Sequence, residues 1–136
     1  SASIEVARAF IDAWKARHPG GEVDTLDLWA APLPEFDGAM LDAKYAVLSG
    51  ISPTPEQSAA WAQIGGMVDR IKHADLIILS TPMWNFSIPY KLKHWIDLVT
   101  QPGLSFGYDP AKGYYGLVLG KKAVTVHARG GEYAGD

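Results

Sequence analysis

Apolar positions along this chain recur with two different spacings, and the changes of spacing divide it into elements. Ile4, Ala7, Ile11 and Trp14 repeat at three- and four-residue intervals behind Ser3, a candidate N-cap, so the chain opens on an amphipathic helix ending near His18, Pro19, Gly20 and Gly21. Residues 22–28 interleave Val23, Leu26 and Leu28 with acids, the pattern of a short strand near a sheet edge. Pro32 and Pro34 impose an irregular connection, and a loose helix follows over 40–48. A stronger start signal stands at Thr54-Pro55-Glu56-Gln57, with a capping threonine, proline at the first helical position and glutamine at the third. The helix it opens runs to about His73. Gly65 and Gly66 inside it each cost about 1 kcal/mol of helix propensity against alanine, so a neighbouring element is expected to approach closely there.

Leu76-Ile77-Ile78-Leu79 is an unbroken apolar run, as in a strand buried on both faces of a parallel sheet. Leu92, Trp95, Ile96 and Val99 then mark a helix over 89–100 that stops before Pro102-Gly103. Residues 105–115, rich in Gly and Tyr, read as a structured excursion. Lys121 and Lys122 introduce a second buried strand over 123–127, closed by Arg129-Gly130-Gly131. Helix alternating with apolar strand predicts an α/β doubly wound parallel sheet, with three readable strands where a complete one has about five. Residues 1–136 read as a single domain truncated at both ends, lacking its first strand and its C-terminal part.

Composition narrows the function. With 136 residues, 48% of them hydrophobic, the chain can build one core but not two. A net charge of -3 without a dense Lys/Arg run leaves no footprint for nucleic acid or an anionic membrane, so small molecules or another protein are the expected partners. The absence of cysteine excludes disulfides and thiolate metal sites and suits a reducing cytoplasm. No segment reaches the roughly 20 apolar residues that span a bilayer, and no leader opens the chain. His18, His73 and His94 lack ligand spacing and read as surface residues, while Trp14 and Trp95 read as helix core.

Ligands of open parallel sheets bind beyond the carboxyl ends of the strands, which directs attention to two loops. Thr81-Pro82-Met83-Trp84-Asn85-Phe86-Ser87 puts flat side chains and an amide directly after the clearest strand. A planar heterocycle with a polar rim needs that combination of apolar wall and hydrogen-bonding edge. Arg129-Gly130-Gly131 removes side-chain bulk, so backbone N–H groups can approach a carbonyl or a developing anion.

These segments carry a family resemblance. Pro82-Met83-Trp84-Asn85-Phe86-Ser87-Ile88-Pro89, the helix with Leu92-Lys93 and Asp97-Leu98, residues 103–108, and Gly116-Leu117-Val118 through Gly120-Lys121-Lys122-Ala123 to Arg129-Gly130-Gly131 resemble the FMN-dependent NADH:azoreductases of the flavodoxin-like NAD(P)H:quinone reductase superfamily. The resemblance implies a flavodoxin-like fold and FMN as cofactor, with NADH or NADPH as electron donor. Quinones or azo compounds would be reduced by ping-pong hydride transfer, with the chemistry on the flavin and no catalytic side chain required. It further implies that Pro82, Met83, Trp84, Asn85 and Phe86 border the isoalloxazine, and that Ala128, Arg129, Gly130 and Gly131 border its pyrimidine edge. Ser1 and Ser3 would remain from the phosphate loop, whose middle position is Ala2 here. Tyr108 matches an aromatic position near the substrate face, and His127 is expected to lie close enough to assist charge at the reduced ring. Members of the family are homodimers, which the tyrosines Tyr114 and Tyr115 would suit. A non-enzymatic flavodoxin-like electron carrier and a fragment that binds no cofactor are the competing readings.

Overall fold

A computed structural model describes residues 1–132. In chain order the elements are α1 (Ala2–Arg17), α2 (Gly38–Leu48), α3 (Pro55–His73), β1 (Leu76–Pro82), α4 (Tyr90–Val99), β2 (Phe106–Asp109), β3 (Gly113–Gly116) and β4 (Lys122–Ala128). The two apolar runs form one parallel pair, β1 with β4, in a register from Leu76 opposite Lys122 to Pro82 opposite Ala128. Helix α1 lies against both strands, while α2 packs on α3 and α3 on α4.

The core sits where these last three helices meet. Met40, Ile64, Val68, Leu98 and Val99 are buried together, with Phe36, Trp61, Trp95 and Leu104 packed around them. Each such side chain contributes about 1.5–3 kcal/mol by leaving water. Local signals fix the helix ends. The Thr54 hydroxyl accepts from the Gln57 N–H at 3.2 Å, and the Gln57 side chain accepts from the Thr54 N–H at 2.9 Å, closing the expected capping box of α3. At its other end the Lys121 ammonium donates to the carbonyls of Lys72 and Ala74, so a cation satisfies groups the helix leaves open.

Several expectations are corrected. Residues 22–28 form no strand, so two of the three expected strands are present. In the order 2-1-3-4-5 a second strand pairs only with the first, and the described residues hold no strand before α1 to receive it. The segment is held by α3 instead: Arg70 donates to both carboxylate oxygens of Asp24 and to the Thr25 carbonyl. Ser3 is not the N-cap of α1. Ser1 stands at the N-cap position without a side-chain capping bond, and Ser3 is buried inside the first turn with its hydroxyl 2.9 Å from that of Ser1. The close approach expected at Gly65 and Gly66 is absent, because a Cβ at either position meets open space among the described residues. Residues 105–115 resolve into the antiparallel hairpin of β2 and β3. Gly107 leaves room there for the end of the Tyr115 ring opposite, which a side chain at this position would displace.

Candidate functional site

The parallel register delivers both candidate loops to the same sheet end. Where β1 and β4 stop, the Met83 N–H donates to the Ala128 carbonyl at 2.8 Å, tying the two loops together. Trp84 and Ser87 then exchange both backbone hydrogen bonds, at 2.9 and 3.0 Å, closing a two-residue turn over Asn85 and Phe86. Both central residues are left-handed, Asn85 at φ 49° and Phe86 at φ 60°. Such dihedrals make a type I′ turn, which favours Asn followed by Gly. Asn85 suits its position. Phe86 stands where glycine is preferred, at about 1–2 kcal/mol of backbone strain. The result is an aromatic ring 81% exposed at the tip of a rigid turn.

Beneath this turn lies a cavity of about 200 Å³ lined by Met83, Phe86, Ser87, Ile88 and His127. His127 is the penultimate residue of β4, opposite Thr81. The structure therefore brings together Pro82, Met83 and Phe86 from one loop with His127 and Ala128 from the other strand. Arg129, Gly130 and Gly131 follow directly and are exposed. A Cβ at Gly130 would meet open space, so no packing among the described residues requires a glycine at this position. The Asn85 amide has no hydrogen-bond partner among the described residues. These are features of a rim open to a ligand: an unspent amide, a bare backbone segment and an apolar wall.

Other candidates lie apart from the cavity. Ser1 and Ser3 pair with each other at the N-terminus of α1. Tyr108 sits on the β2–β3 hairpin, its ring 5.0 Å from that of Tyr114. Trp84 leaves the cavity wall to Met83 and Phe86 and meets Trp29 instead, with ring centroids 5.5 Å apart. Sequence reasoning missed Trp29, although it follows residues 22–28 as directly as the two recognised loops follow their strands. His94 is also not the surface residue expected: it is half-buried and donates from Nε2 to the Pro34 carbonyl at 2.8 Å. Among the described residues no cluster of His, Asp or Glu could hold a metal ion, and no helix is long and apolar enough to cross a membrane.

A family model for the flavodoxin-like fold matches residues 1–136. The chain belongs to the flavodoxin-like fold family. The FMN-dependent NADH:quinone oxidoreductase of Desulfotalea psychrophila is 50% identical to this flavodoxin-like chain over 135 residues, covering 99% of it and 64% of the relative. Among solved structures, an azoreductase from Bacillus anthracis strain Sterne superposes with a TM-score of 0.88 at 31% identity, over 100% of this chain and 65% of that one. The FMN-dependent NADH-azoreductase of Bacillus anthracis strain Ames Ancestor, solved in complex with FMN, gives a TM-score of 0.81 at 25% identity, with the same coverage. This flavodoxin-like chain thus spans just under two thirds of the proteins it matches.

Proposed function

We infer that residues 1–136 are one flavodoxin-like domain of an FMN-dependent NADH:quinone oxidoreductase that also reduces azo compounds. The observation that carries this reading is the Met83-to-Ala128 hydrogen bond, which sets the Pro82–Phe86 turn beside the start of the Ala128–Gly131 segment, next to a cavity lined by Met83, Phe86 and His127. The residues present fit a flavin. Met83 and Phe86 supply apolar surface for a ring face, with Trp84 beside them on the same turn, and Asn85 supplies an unspent amide for its polar rim. The Arg129, Gly130 and Gly131 backbone is exposed for the pyrimidine edge, and Ser1 and Ser3 offer hydroxyls at a helix N-terminus, where a phosphate is favoured.

FMN, when bound, supplies two-electron acceptance from a nicotinamide and onward transfer to a quinone or azo acceptor. The chain's own residues bind, orient and stabilise. Met83 and Phe86 would hold the ring by their apolar side chains, and ping-pong kinetics would follow if donor and acceptor used the same remaining space in turn. His127, in the cavity wall, would supply a polar N–H where negative charge collects on reduction of the bound ring. Tyr108, on the hairpin apart from the cavity, would reach the acceptor only from the side of that hairpin; NADPH would serve as an alternative donor, and the protein would work in the cytoplasm. Two copies pair as a homodimer through exposed aromatics such as Tyr114 and Tyr115.

Purified protein tests the reading directly. Yellow protein that bleaches anaerobically on addition of NADH and recovers its colour with quinone is the expected result. Yellow protein inert to NADH would make it an electron carrier. Protein that stays colourless after incubation with FMN would reject the flavin site.

A further inference from the structure

Trp29, Trp84 and Tyr90 form an aromatic corner beside the cavity, contributed by three separate segments. The Trp29 ring meets Trp84 at 5.5 Å with the planes 44° apart, and meets Tyr90 at 5.5 Å with the planes 84° apart. The three rings remain 54%, 45% and 65% exposed, respectively, so they touch one another without being buried. This placement is built into the backbone. The Trp29 N–H donates to the Asp27 carboxylate at 3.0 Å, and the N–H groups of Ala30 and Ala31 donate to the Asp27 carbonyl. Further along, Leu33 and Phe36 anchor the strap in the core, and His94 ties the Pro34 carbonyl to α4. Trp84 opens the strained turn whose Phe86 lines the cavity, so the corner adjoins the cavity through that one turn.

Resting on the flavin reading above, we propose that this corner is the acceptor shelf, with Trp29 selecting uncharged fused-ring quinones over single-ring ones. Rings inclined to each other offer one face for stacking and one edge for a T-shaped contact. A single ring engages one of these surfaces, whereas two fused rings reach both. The neighbouring Asp27 carboxylate and the net charge of -3 disfavour anionic acceptors.

Two measurements on the full chain test the shelf, with menadione as the fused-ring probe and 1,4-benzoquinone as the single-ring probe. Equilibrium dialysis of menadione against flavin-free protein is expected to show saturable binding, weakened at least fivefold by Trp29→Ala and held within twofold by Trp29→Phe. With FMN and NADH, the ratio of kcat/KM for menadione to that for 1,4-benzoquinone is expected to fall about tenfold in Trp29→Ala, through KM, and to recover in Trp29→Phe. Absence of menadione binding to the unmodified chain, or equal binding by Trp29→Ala, overturns the shelf even if the protein is yellow and oxidises NADH. Trp29-dependent binding by a protein that takes up no FMN would uphold the shelf and reject the flavin reading.

Discussion

Phe86 shows how one residue can oppose stability and serve a site. Its left-handed backbone costs about 1–2 kcal/mol, and glycine would remove that strain while giving back about 0.5–1 kcal/mol through greater freedom of the unfolded chain. Phe86→Gly is therefore expected to raise stability by roughly 0.5–1 kcal/mol, read as a higher melting temperature. The same change removes an aromatic wall from the cavity, and ring contacts of this kind contribute about 0.5–1.5 kcal/mol, so FMN affinity should drop about fivefold in a fluorescence titration. Opposite signs in the two measurements are the signature; a parallel loss would mean the ring is a packing element. His127 makes a second prediction at this scale. If its N–H supports charge at the reduced ring, His127→Ala lowers the flavin midpoint potential while FMN still binds, and spectroelectrochemistry giving an unaltered potential would remove it from the site.

Among the elements, α3 separates what the sequence made legible from what it hid. Its capping box is encoded within four consecutive residues, so Thr54, Pro55 and Gln57 announce it without knowledge of the fold. Its C-terminal clamp depends on Lys121, which arrives from the start of a distant strand, and nothing near His73 signals it. Lys121→Met should cost about 1–2 kcal/mol by orphaning two carbonyls, yet leave FMN affinity of the folded protein unchanged. The reason is position: Lys121 stands at the amino end of β4, and the candidate site at its carboxyl end. A urea melt paired with an FMN titration checks both halves. The site divides in the same way. Both cavity loops were legible because each directly follows an apolar run, whereas Trp29 was lost because the ring that engages it, Trp84, comes from a remote segment. The β2–β3 hairpin was invisible for a related reason, since the Gly107 and Tyr115 partnership exists only across strands.

For the molecule as a whole, the consequential feature is that residues 22–28 attach to a helix instead of a sheet. Arg70 forks onto Asp24 and the Thr25 carbonyl, and this guanidinium hydrogen bond holds the Asp24 carboxyl below its ordinary range. A carboxylate depressed in the folded state contributes stability that is present above its unfolded pKa and lost as pH falls through the folded one. The attachment should thus be intact at neutral pH and loosen as the solution is acidified below about pH 4, where an unpaired aspartate takes up its proton. Because 22–28 lead directly into the Asp27 turn that positions Trp29, release should also spread the aromatic corner. Hydrogen exchange across an acid series is expected to show 22–31 losing protection before β1 and β4, whose pairing involves no carboxylate side chain. In Arg70→Met the same segment should exchange quickly already at neutral pH, with no further change on acidification. An acid-induced loss of protection in that variant, matching the one in the unaltered chain, would assign the transition to a different group and leave the Asp24 contact as a surface pair of little consequence.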